Sequence, residues 1–289
     1  MKVKILALAG IVMLLTFCQN SSDPQNQLTS VQEKRIISLS GFVTELLYDL
    51  DLGNQIVGVD VTSTYPDDVK SLPQLGHISQ INAEGIMSLS PDLILVDAQQ
   101  MAQNPVFEQL ANSGVEILPV QTQFTLHNAY NVAEQLSEHI AIDHEKIKEL
   151  KQQLDQDSVS LNDFKNQIEK PAKVLFIYAR GAGNLMVAGK ETSAAAIIKC
   201  AGGINAVEEF QGFRALTAES LLESNPDVVL MFESGLASFD NVEGLSQIPG
   251  MSQTAAFKNK KIIAMDGHYL TSFGPRVGKA ALELSQKLY

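Results

Sequence analysis

Tryptophan is absent from the 289 residues, and all aromatic residues together make up 6%. Cysteine occurs only twice, at Cys18 and Cys200, and acidic residues outnumber basic ones 33 to 21. Each shortage removes a class of function. A formal charge of −12 leaves no clustered Lys and Arg surface for a phosphate backbone, so nucleic acid is not the expected partner. The five histidines, His77, His127, His139, His144 and His268, show no metal-ligand spacing. No nucleophile elbow is present, and VAGKET from Val187 to Thr192 lacks the preceding glycine of a phosphate loop, so the chain reads as a non-enzyme. Long apolar runs are missing too, apart from Ile5 to Phe17, which is too short to span a bilayer comfortably.

That one run follows Lys2 and Lys4, the basic-then-apolar layout of a secretory signal. Cys18 comes directly after it and the polar stretch QNSSDPQNQ follows, which resembles a bacterial lipoprotein signal over residues 1–18, although Phe17 stands where a small residue is usual. The implied protein is extracytoplasmic and lipid-anchored to the membrane through Cys18. With Cys18 lipidated only Cys200 is left, so no intramolecular disulfide can form. Residues 19–33 have the composition of a flexible tether.

Beyond the tether, a hydrophobic content of 45% is ample for a buried core. Short β-branched runs alternate with helical periods on short connections, first from KRIISLS and again from AKVLFIYA, which predicts α/β lobes with mainly parallel sheets. Between the two runs, Ile147, Leu150, Leu154, Leu161, Phe164 and Ile168 recur at helical spacing and predict one amphipathic strut from Asp143 to Ile168. The expected division is a first lobe over 34–142, a linking helix over 143–170 and a second lobe over 171–289. An internal match supports duplication: NAEGIMSLSPDLILVDA (Asn82–Ala98) parallels TAESLLESNPDVVLMFE (Thr217–Glu233), each with Ala-Glu opening a short helix and Pro-Asp ahead of a strand. Glu84 and Glu219 are therefore equivalent, and the facing strand ends are expected to form a ligand cleft. A carboxylate in a helix's first turn is also what the helix dipole alone favours.

The chain from Arg35 onward resembles the substrate-binding proteins of bacterial ABC importers whose two lobes are joined by a single long helix, a group that binds vitamin B12, ferric siderophores and heme. The carrying stretches are RIISLSGFVTELLYDL, GVDVTSTYPDDVKSLPQLGHISQINAEGIMSLSPDLIL, VAGKETSAAAIIKCAGGINAV, FRALTAESLLESNPDVV and FGPRV. Within the group the similarity points to the periplasmic hemin-binding proteins. It implies that Tyr65 ligates the heme iron, a hard phenolate oxygen suited to ferric iron where a nearby cation helps draw off the proton. Arg214 and Arg180 are the expected cations, as partners of the tyrosinate or of the heme propionates. Arg180 stands where some hemin binders carry a histidine, which implies five-coordinate, Tyr-only binding. His268 and Tyr269 follow a strand and read as plain loop.

The implied function is delivery of hemin, as transported ligand, to an ABC permease with its ATPase for iron uptake. Glu84 and Glu219 would dock on basic residues of the permease, an outer-membrane heme receptor is the candidate donor, and the working state is a monomer. The alternatives are a cobalamin or a ferric siderophore on the same fold.

Overall fold

The computed structural model describes residues 33–181 and 183–289; the expected signal, its Cys18 and nearly all of the tether lie outside them. The first four strands, β1 (Ile36–Leu39), β2 (Ile56–Val59), β3 (Leu93–Asp97) and β4 (Glu116–Val120), form a wholly parallel sheet in the order β2-β1-β3-β4. Each reads as a short apolar run because helices cover both faces of the sheet. The second sheet contains β5 (Lys173–Ala179), β6 (Leu185–Ala188), β7 (Ile204–Asn205), β8 (Phe213–Ala215), β9 (Val228–Phe232) and β10 (Ile262–Met265). Here β7, β5, β9 and β10 are parallel, while β6 and β8 add antiparallel strands beside the far end of β5.

The strut is the helix His144–Lys165, about 33 Å long at ~1.5 Å per residue. Its start is set by Asp143, whose carboxylate accepts from the Glu145 amide at 2.9 Å. It ends three residues before the expected Ile168, with Asn166 at its C-terminal cap. Ile147, Leu150, Leu154 and Leu161 are buried, so the predicted stripe is the one that packs. They belong to a single apolar core that also contains Ile36, Leu93 and Leu95 of the first sheet and Val174, Phe176, Val228 and Leu230 of the second. The lobes thus share one core across the strut, and each sheet has a separate cluster on its other face.

The duplicated motif folds as a duplicate. Asn82 caps the helix Ala83–Ser88 and Thr217 caps the helix Ala218–Ser224, each through its side chain. Ser90 and Asn225 then turn the chain with positive φ. The Asp92 carboxylate accepts from the Arg35 amide at 2.9 Å, and the Asp227 carboxylate accepts from the Lys173 amide at 2.9 Å. Those bonds tie the start of β3 to β1 and of β9 to β5. Glu84 and Glu219 are exposed in the first turns of the paired helices.

Candidate functional site

Tyr65 lies on the long loop that follows β2, at the C-terminal edge of the first sheet, where ligands of open α/β sheets bind. The loop is stitched shut at its base: Val59 donates to the Pro73 carbonyl, Leu75 to that of Val59 and Val61 to that of Gly76. Its start is pinned from inside by Asp60, a 1% exposed carboxylate that accepts from the Thr62 and Ser63 hydroxyls. Ser63 in turn bonds Thr44 of the first helix, Gly41–Asp49, at 2.8 Å. Burial pushes the Asp60 carboxyl above its ordinary value, and the two hydroxyls only partly offset this. The polar sequence VTSTYPDD is therefore an ordered loop that contains a cis Tyr65-Pro66 bond, with Tyr65 42% exposed.

The cation on that ring is Arg276. Its guanidinium carbon lies 3.5 Å from the centre of the Tyr65 ring and 5.1 Å from that of Tyr269, so it is held between two phenols. Behind it, Glu45 accepts from Arg276 Nε at 2.7 Å and Nη2 at 3.1 Å, a forked pair, and its Oε2 lies 2.6 Å from His268 Nε2. Glu45 is 3% exposed and belongs to the first helix, between Val43 and Leu46. Burial alone pushes its carboxyl up, but the bonds from His268 and Arg276 more than reverse this and hold it below the usual range. Two cavities, of 340 and 470 Å³, share Tyr65 and Arg276 in their walls; Glu45 lines the smaller, and Lys70, Asp266 and Tyr269 line the larger.

The expected cations lie elsewhere. Arg214 is on β8 opposite Val187, whose side chain faces the outer cluster of the second sheet with Leu175 and Ile177. Its guanidinium stacks on Phe210 at 4.5 Å and lines a different cavity, with Thr217 and Glu223. The alternation of the strand decides this, since Phe213 and Ala215 take the face that holds Tyr178. Arg180 is exposed past the end of β5 and donates from Nε to the Tyr178 hydroxyl at 3.0 Å. Neither arginine lines the cavities at Tyr65. The cation over the Tyr65 ring in this structure is Arg276. His268, expected in a plain loop, is on the short helix Gly267–Thr271 and closes on Glu45.

Sequence reasoning passed over Glu45 and Arg276 because they are 231 residues apart and neither follows a repeat. One signal was available: a carboxylate set among Phe42, Val43, Leu46 and Leu47, all buried on the same helix, requires a buried partner. Among the described residues, no group of three or more His, Cys, Asp or Glu side chains could hold a metal ion, and no helix is long and apolar enough to cross a membrane.

Residues 36–269 match the model of a family described as periplasmic binding protein. Among solved structures, the chain is similar to the periplasmic heme-binding protein RhuT from Roseiflexus sp. RS-1 in apo form, with 33% identity, a TM-score of 0.81 and coverage of 89% of this chain and 98% of that one. The ABC transporter substrate-binding lipoprotein YvrC of Bacillus subtilis is 27% identical over 92% of this chain and 84% of its own length. A vitamin B12-binding protein of Yersinia pestis is 26% identical over 88% and 86%. The chain has two α/β lobes joined by one long helix, and it belongs to the periplasmic binding protein family as a substrate-binding component of an ABC transporter.

Proposed function

We propose that the transported ligand is hemin, bound between the lobes with Tyr65 on its iron. The observation that carries this reading is the exposed Tyr65, with the Arg276 guanidinium carbon 3.5 Å from its ring centre, both in the wall of the 470 Å³ cavity. Ferric iron takes a phenolate oxygen, and a guanidinium supplies a permanent positive charge next to it. The 33% identical heme-binding relative adds support. Lys70 lines the same cavity, and Arg180 extends from the aromatic row of Tyr178 and Phe213; both are suited to heme carboxylates. Arg214, on the outer face, is left without that role. Glu84 and Glu219 are the docking points for the permease that the ATPase drives, and the protein works as a monomer, lipid-anchored through Cys18, with an outer-membrane heme receptor as donor.

Hemin titration of the purified protein gives a high-spin ferric spectrum, and Tyr65→Ala loses it. An unchanged spectrum in that variant removes Tyr65 from the iron. Cobalamin is the second reading, favoured by the vitamin B12-binding relative. Competition of hemin against cyanocobalamin and a ferric siderophore separates the readings: displacement of hemin by cobalamin at equal concentration overturns the first.

A further inference from the structure

The first helix and the segment from Gly267 to Val277 come from opposite ends of the chain and meet through a set of polar contacts. Besides the Glu45 pairs, the Phe273 carbonyl accepts from the Asn128 side chain at 3.2 Å and the Pro275 carbonyl from that of Gln153 at 3.3 Å. Phe273 is fully buried, with its ring 5.4 Å from Phe124. The segment that follows the last strand of the second lobe is therefore seated on the first lobe and the strut, and Arg276 is its contact with Tyr65. Glu45 alone joins two side chains of that segment, 223 and 231 residues away. Its depth makes the pairing strict, because a carboxylate this buried costs heavily when left without its donors.

We infer that Glu45 is the positioning residue of the ligand site: it fixes Arg276 of the second lobe against the Tyr65 ring of the first, so the ligand-binding pair exists only while residues 267–277 stay seated. The inference rests on Tyr65 as the hemin ligand for its binding consequence, and on geometry alone for the seating. The lobes meet the ligand as a preset cleft, because breaking the Glu45 contacts and opening the cleft are one event. A ligand site assembled this way binds a rigid planar molecule with little reorganisation.

The test uses Glu45→Gln, which keeps the shape and removes the charge, with Arg276→Gln and the double variant. Hemin affinity is expected to fall about tenfold, the factor that ~1.4 kcal/mol makes, in each single variant. The double variant is expected to lose no more than the weaker single one, since Glu45 acts through Arg276. Losses that multiply would mean that the two residues act independently, and that result, or wild-type affinity in Glu45→Gln, overturns the inference. The second readout needs no ligand: amide hydrogen exchange of the apo protein should quicken in residues 267–277 of Glu45→Gln and stay unchanged in the duplicated segment 82–98. If wild-type protein takes up no hemin, the reading of Tyr65 falls, and exchange alone decides: unchanged protection of 267–277 overturns the role of Glu45. Should Glu45→Gln fail to fold, Glu45→Asp, with its charge withdrawn by one methylene, is measured in the same two ways.

Discussion

The second lobe repeats the first strand for strand where their sheets are built and departs from it where they face each other. The parallel order β2-β1-β3-β4 recurs as β7-β5-β9-β10, and the Asp92 and Asp227 carboxylates hold matching amides at the same distance. Beside the cleft the two differ. The first lobe follows β2 with the stitched loop that carries Tyr65; the second fills the corresponding place next to β5 with the antiparallel strands β6 and β8. Duplication supplied a scaffold whose strand order and edge ties recur, whereas the segments beside the cleft differ between the lobes.

Variants that break the meeting of the lobes should cost most. Arg276→Met leaves Glu45 buried beside His268 alone and is expected to destabilise by about 3 kcal/mol, read as a lowered denaturation midpoint. Gly41→Ala comes next, at about 2 kcal/mol, because a Cβ there collides with the Thr62 carbonyl and crowds the His268 ring, at the point where the first helix, the Tyr65 loop and the second lobe converge. Replacing a scaffold carboxylate, by Asp92→Ala or Asp227→Ala, should cost about 1 kcal/mol each. Equal values sharpen the equivalence of the lobes, and a large inequality breaks it. Arg214→Ala should change stability by no more than about 0.5 kcal/mol and leave the hemin titration as in the wild type.

Acid should loosen the same meeting point. A carboxyl held below its unfolded value, as Glu45 is, contributes its stability in full above the ordinary 4.5 and loses it as pH falls through the lowered folded value. Asp60, raised above the ordinary 3.8, has the opposite sign: its contribution is present below that value and declines as pH rises through the folded one. Glu45→Gln should therefore flatten the acid limb of a stability profile, measured by denaturation from pH 2 to pH 6; an unchanged limb would detach Glu45 from it.

Much of the fold was legible because its signals are local. The stripe Ile147, Leu150, Leu154 and Leu161 gave the strut to within three residues, and the apolar runs in KRIISLS, AKVLFIYA and the two copies of the duplicated motif gave β1, β5, β3 and β9. Strands β6, β7 and β8 escaped; they are two to four residues long, and β8 is exposed throughout, so no alternation marks them. Tyr65 was picked out from its STYP motif by resemblance, and the structure adds that a buried Asp60 fixes its loop.

By itself the sequence determined the two-lobed α/β plan, the duplication and the helix between the copies, since period, caps and turns act over a few residues. Only the tertiary structure decided which arginine faces Tyr65. Strand alternation turned Arg214 to the outer face, and a buried carboxylate drew Arg276 across 231 residues of chain to the cleft. A forked ion pair has no periodicity to read; its partners are chosen by where the packed core leaves a charge to be met.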